Sequence, residues 1–206
     1  MKHSGSIDSK VLARVYGLGR GSVFTPERFQ DLGGPKAVLH ALARHTDAGT
    51  IRRLARGLYD YPKKHPKLGL LEPSTDKIAE ALAGRDALRL QPTGAYAANL
   101  LGLSTQVPMK VVYLTDGRSR TVQIDSRQIT LKHTTPRNMA TAGKISGLVI
   151  QALRHIGQPH VDDNIIAQLS HRLDQQARKQ LMKDIRYAPA WIAEIFRQLA
   201  MKGADK

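Results

Sequence analysis

The segment Pro35–Asp47 has the pattern of hydrophobic and polar residues that is typical of an amphipathic helix. At 3.6 residues per turn, the hydrophobic side chains that share one arc are Val38, Leu39, Leu42 and, at its flank, Ala41. The basic side chains that follow four residues apart on the opposite arc are Lys36, His40 and Arg44. A helix with a hydrophobic back and a basic front is suited to a DNA groove, although an ordinary solvated face has the same pattern.

A shorter predicted helix precedes this one. Thr25 and Pro26 are typical of a helix start, because a hydroxyl can cap free N–H groups and proline fits the first turn. Gly33 and Gly34 then end the helix, since glycine adopts the backbone angles that a sharp corner needs. Two short helices joined by a tight glycine turn form the helix-turn-helix pattern.

Two strands are predicted after the second helix. Residues 50–56 alternate as a strand, Gly57 makes a turn, and residues 58–61 return as the partner strand. The basic residues on and after this hairpin, which we expect to contact phosphates, are Arg52, Arg53, Arg56, Lys63 and Lys64. A basic hairpin after a recognition helix is a wing.

A first helix over Ile7–Tyr16 and a short strand, Ser22–Phe24, complete the N-terminal pattern. We expect this strand to pair with the wing. The sequence therefore predicts a winged helix-turn-helix over residues 1–70. Its predicted DNA-binding residues are Thr25, Lys36, His40, Arg44, Arg52, Arg53, Arg56 and Lys63.

Residues 71–206 are predicted to form a second domain, with the boundary near Leu70 in a segment rich in proline and lysine. Strands are expected at residues 110–115, 121–125 and 128–133, the first two joined by a hairpin turn at Asp116-Gly117. The predicted helices cover residues 75–83, 93–101, 142–156, 162–169, 174–185 and 191–201. The predicted fold class is α+β: a winged helix-turn-helix, then a mixed domain with a small antiparallel sheet and terminal helices.

A second group of basic residues lies around the predicted strands of this domain. It consists of Arg118, Arg120, Arg127, Lys132, His133 and Arg137. A solvated sheet face explains the group as well as a second contact surface for DNA, RNA or an acidic partner does.

The charge of the chain favours nucleic acid as the partner. The 206 residues carry a net charge of +15, and residues 1–70 hold 13 basic against 5 acidic side chains. The absence of cysteine excludes disulfides and thiolate chemistry and fits a reducing cytoplasm. We find neither a hydrophobic run of membrane-spanning length nor a signal peptide, so we expect a cytoplasmic protein that does not enter the membrane.

The sequence contains only weak signals for a catalytic or metal-binding site. The tightest grouping of possible metal ligands, His155, His160, Asp162 and Asp163, falls in a predicted loop between helices, where an aspartate that caps the next helix explains it better. No nucleophile triad, phosphate-binding loop or paired-carboxylate motif is evident. The sequence therefore predicts a protein that is not an enzyme and that binds no cofactor or metal.

Three segments of the chain resemble antitoxins of the abortive-infection AbiEi kind, from type IV toxin–antitoxin systems. They are Gly21–Pro26 (GSVFTP), Ile51–Pro62 (IRRLARGLYDYP), and Pro92–Leu103 (PTGAYAANLLGL) with Val107-Pro108 after it. The resemblance implies an N-terminal winged helix that binds inverted repeats in its own promoter and represses the operon. It also implies a C-terminal domain, without enzymatic activity, that opposes a nucleotidyltransferase-like toxin encoded alongside. Two alternatives stay open: a winged-helix regulator without a toxin, and a protein- or RNA-binding module.

Overall fold

The computed structural model describes residues 5–84 and 89–201, and it divides into two compact units. The first unit is Met1–Ala87 with Val122–Ile124, and the second is Leu88–Thr121 with Asp125–Lys206. The fold class is α+β, as the sequence predicted. In the described ranges, no helix is both long enough and apolar enough to cross a membrane.

The first unit contains three α-helices, one 3₁₀ helix and five short strands within its described residues. In chain order these are α1 (Ile7–Leu18), β1 (Ser22–Phe24), the 3₁₀ helix (Pro26–Leu32), α2 (Pro35–Asp47), β2 (Arg52–Ala55), β3 (Leu58–Tyr61), β4 (Lys64–His65), β5 (Gly69–Leu70) and α3 (Thr75–Ala83). The predicted bounds of α2 and α3 are confirmed. The helix before α2 is a 3₁₀ helix, and the Thr25 side chain makes no capping hydrogen bond to it, contrary to the prediction.

A three-stranded antiparallel sheet joins the beginning of the first unit to its hairpin. The strand order is β1-β3-β2, with Val23 opposite Asp60 and Arg53 opposite Tyr59. The predicted pairing of β1 with the hairpin is therefore confirmed. Hydrophobic side chains from α1, α2, the 3₁₀ helix and this sheet form one core, in which Phe24 contacts Phe29 edge to face with ring centroids 5.4 Å apart.

The segment after β3 differs from the prediction in two ways. Residues 63–71, in the segment where the domain boundary was expected, form a second hairpin in which Lys64 pairs with Leu70 and His65 with Gly69. Helix α3 belongs to the first unit because it packs against β1, and Lys77 Nζ donates a hydrogen bond to the Gly21 carbonyl at 3.0 Å. The first unit therefore continues through α3, beyond the boundary expected near Leu70.

The second unit holds a four-stranded mixed sheet and a group of helices. Its elements are β6 (Leu90–Thr93), α4 (Gly94–Leu100), β7 (Lys110–Thr115), β8 (Arg120–Ile124, of which Val122–Ile124 is assigned to the first unit), β9 (Arg127–His133), α5 (Pro136–Met139), α6 (Ile145–Ile156), α7 (Asp163–Arg172), α8 (Gln175–Lys183) and α9 (Ala190–Met201), with single 3₁₀ turns at Gln158–His160 and Ile185–Tyr187. The core lies among α4, α6, α7, α8 and α9.

The strand order β6-β7-β9-β8 corrects two predictions about this sheet. Strand β7 pairs with β9 in parallel, with Val111 opposite Ile129, so the sheet is mixed and not purely antiparallel. The predicted hairpin between β7 and β8 at Asp116-Gly117 is wrong, since β9 lies between them. Strand β8 instead turns back onto β9 after Ile124, and Asp125 adopts a positive φ of 50° at that turn.

Two polar clusters hold the helices of the second unit together. The buried Asp184 carboxylate accepts hydrogen bonds from Ser146 Oγ at 2.5 Å, Gln180 Nε2 at 2.7 Å and Lys144 Nζ at 3.1 Å. Arg178 donates to the carbonyls of Leu173 (3.0 Å), Leu199 (2.6 Å) and Ser170 (2.7 Å), which belong to the last turns of α7 and α9. Both clusters therefore connect elements that are distant in the chain.

Candidate nucleic-acid interface

The exposed face of α2 differs from the predicted one in a single hydrophobic residue. The side chains that face the core are Val38, Ala41, Leu42 and His45. Leu39, predicted to be on that side, is 46% exposed and lies on the outer face. The outer face also carries Lys36, His40 and Ala43. A cation, an imidazole and two apolar side chains can together contact base edges and thymine methyl groups in a major groove.

Arg44 is held by another helix of the first unit. Its Nε and Nη2 donate to Asp8 Oδ1 of α1 at 2.9 and 2.7 Å. The hydrogen bond from Arg44 and the nearby His45 hold the pKa of Asp8 below its usual range. The side chain predicted to read bases is therefore already paired with a carboxylate.

Arg52, predicted to contact phosphate, has a structural role. Its guanidinium donates to both carboxylate oxygens of the buried Asp60, at 3.1 and 2.7 Å. The same guanidinium donates to Glu72 Oε1 at 3.1 Å and to the Leu71 carbonyl at 3.0 Å. The hydrogen bonds to Asp60 raise the pKa of Arg52 above its usual value. These four hydrogen bonds occupy most of the five N–H groups of the guanidinium, which leaves little of it for a phosphate.

The end of the β2–β3 hairpin carries cations that are available to a ligand. Arg53 and Arg56 are exposed, Gly57 takes φ 72° at the turn, and Lys63 is exposed after β3. The side chains of these three cations form no ion pair or hydrogen bond with the residues that the structure describes. Their exposure makes them accessible to a phosphate, and phosphate contact itself stays a prediction.

Thr25 offers little surface to a ligand. Its residue surface is only 7% exposed, because it lies between β1 and the 3₁₀ helix. Thr25 is therefore a weak candidate for DNA contact.

The second basic group is only partly assembled. Arg118, Lys132 and Arg137 are exposed, while Arg120 and Arg127 are half-buried and engaged in interactions. The loop that carries Arg118 is fastened to the end of β9, since the His133 N–H donates to Ser119 Oγ at 3.0 Å and His133 Nδ1 lies 2.9 Å from the Gly117 carbonyl.

Asp162, one of the possible metal ligands considered in the sequence, caps a helix. Its Oδ1 accepts the Ile165 N–H at the start of α7 at 2.9 Å, as predicted.

The chain is similar to one protein family and to a solved structure. A model of a family of unknown function, DUF6088, matches residues 10–181. The crystal structure of the RV2827C protein from Mycobacterium tuberculosis is similar with a TM-score of 0.47 and 14% sequence identity, over 92% of this chain and 75% of that one. A comparison with curated protein sequences gives no match.

Proposed function

We propose, for a chain that belongs to the DUF6088 family of unknown function, that the first unit is a winged helix-turn-helix that binds double-stranded DNA. One observation supports this proposal above the others. The order helix, strand, helix, helix, strand, strand closes into a β1-β3-β2 sheet, which leaves the outer face of α2 and the β2–β3 turn exposed in the same unit.

The two exposed parts of the unit have separate roles in this proposal. Lys36, Leu39, His40 and Ala43 on α2 face base edges, where hydrogen bonds and methyl contacts distinguish sequences. Arg53 and Arg56 at the turn contact phosphates, which position the protein without reading sequence. The excess positive charge of residues 1–70 favours the approach to DNA.

We extend the proposal to the biological role that the AbiEi resemblance implies. The protein represses its own operon in the cytoplasm by binding inverted repeats in the promoter. Its second unit opposes a nucleotidyltransferase-like toxin encoded alongside, without catalysis or a cofactor.

Selection of duplexes from a random pool by the full-length protein tests DNA binding. We expect an enriched sequence that binds more tightly than a scrambled duplex. Lys36→Ala should lower that preference about ten-fold, because one good base contact is worth about 1–3 kcal/mol. Arg53→Ala and Arg56→Ala should each reduce the slope of log K against log salt by about 0.9 on both duplexes.

Double-stranded RNA of the enriched sequence serves as the matched competitor. It should compete poorly, because the deep, narrow major groove of an A-form helix does not admit α2. No enrichment, or equal competition by RNA, would refute the proposal. Co-expression with the neighbouring toxin gene tests the antitoxin role separately: protection by a Lys36→Ala protein would place toxin suppression outside DNA binding.

A further inference from the structure

The β4–β5 hairpin, residues 63–71, has a composition that core packing does not explain. Leu68 at its tip and Leu70 on β5 are 72% and 54% exposed. Isolated exposed leucines are common on protein surfaces. Here, however, the two leucines lie on a short ribbon together with the exposed Lys63, Lys64 and Lys67, and residues 63–71 contain no acidic side chain.

The ribbon is held in a defined shape. The Leu71 N–H donates to the Lys63 carbonyl at 2.8 Å, which closes its base. At the tip, His65 Nδ1 accepts the N–H groups of Lys67 at 3.2 Å and Leu68 at 3.3 Å, while Gly69 takes φ 73°. The leucine is therefore presented on a fixed turn.

The base of the ribbon is fastened to the sheet that carries the proposed wing. Arg52 on β2 donates to the Leu71 carbonyl at 3.0 Å while it also pairs with Asp60 on β3. Displacement of the ribbon would therefore break hydrogen bonds to a buried ion pair.

We infer that this ribbon enters a minor groove of bound DNA, with Leu68 inserted between base pairs and the lysines on the flanking phosphates. Apolar side chains inserted in this way partly unstack a base step and bend the duplex. The positively charged lysines can pair with the negatively charged phosphates on both sides of the groove. A second copy of the ribbon is a poor occupant, because it would bring six lysines together. This inference rests on the proposed DNA binding of the first unit.

Measurement of DNA bending tests the inference. The enriched duplex, made on the order of 30 base pairs long with a fluorophore at each end, is titrated with full-length protein. We expect energy transfer to rise on binding. Leu68→Ala should abolish most of this rise and weaken binding about ten-fold, because the side chain loses its burial, with an unchanged salt slope. Lys67→Ala should instead flatten the salt slope by about 0.9.

Two further variants sharpen the test. Leu100→Ala removes an exposed leucine of the second unit and should bind and bend like the unaltered protein. Leu68→Lys should also lose the bend, although it adds a positive charge. A gain in affinity with the bend retained would overturn the inference that Leu68 inserts between base pairs. Wild-type bending by Leu68→Ala would assign the ribbon to a protein partner and leave DNA binding by α2 standing. Absence of any duplex binding by the unaltered protein would remove the proposed function itself.

Discussion

Arg52 and Asp60 stand opposite each other on β2 and β3, and the guanidinium donates to both oxygens of a carboxylate that is 1% exposed. A buried carboxylate without its cation retains the full cost of desolvation. This pair therefore secures the hairpin from the inside, while neighbouring arginines stay on the surface.

Arg52→Ala should lower the free energy of unfolding by about 2–4 kcal/mol, because Asp60 loses its bidentate partner. Arg53→Ala, one residue away and exposed, is the matched control and should change it by less than about 0.5 kcal/mol. Urea denaturation followed by circular dichroism measures both. Equal stability of the two variants would show that Asp60 does not depend on Arg52.

Asp8→Asn should strengthen binding to every duplex at low salt, by about two- to five-fold, because it frees Arg44 and removes a negative charge beside α2. Fluorescence anisotropy in a salt series measures the gain, which should shrink as salt rises. Asp47→Asn provides the control for the charge change alone, because Asp47 is an exposed carboxylate at the last residue of α2 and does not pair with Arg44. Weaker binding by Asp8→Asn would show that the Asp8–Arg44 pair positions α2 for DNA.

Gly147→Ala should destabilise the second unit by about 1–3 kcal/mol, because a Cβ there would collide with the Thr141 carbonyl and Gln91 Oε1. Gly17→Ala in α1 meets nothing within 4 Å and is the matched control. It should raise stability by about 0.5–1 kcal/mol, the usual gain for alanine over glycine in a helix. Thermal unfolding of both proteins decides the sign of each change.

Acid should weaken the Asp184 cluster. Burial alone would raise the pKa of Asp184, but hydrogen bonds from Ser146, Gln180 and Lys144 outweigh it and hold the pKa below its usual value. The stabilisation is therefore present above the ordinary aspartate pKa, near 4, and is lost as pH falls through the lower folded-state value.

Asp184→Asn should accordingly be less stable than the unaltered protein at pH 7, and the difference should shrink as the pH falls below about 4. Urea denaturation across this pH range measures the difference. Asp174→Asn is the control, because Asp174 caps α8 from an exposed position. A difference that is independent of pH would mean that the Asp184 charge contributes nothing.

Local periodicity predicted most elements, including α2 and β3, because burial of one face leaves a regular trace in the sequence. The pairing of β7 with β9 left no such trace, since strand partners are chosen by distant contacts. The roles of charged residues were the least predictable. Arg52 and Arg53 are adjacent and identical in type, yet one pairs with a buried carboxylate and the other faces solvent. The prediction that Leu39 faces the core was wrong, because it was based on the apolar side chain and gave too little weight to its position at the edge of the hydrophobic arc.

The contacts of Arg178 affect the order in which the second unit opens. One guanidinium closes the last turns of both α7 and α9 and itself belongs to α8. Fraying at either helix end would leave the Arg178 guanidinium without part of its hydrogen bonds and its partner carbonyls unpaired, so neither end opens alone. Amide protons in these turns should therefore exchange with deuterium at a shared rate, as parts of a single cooperative segment.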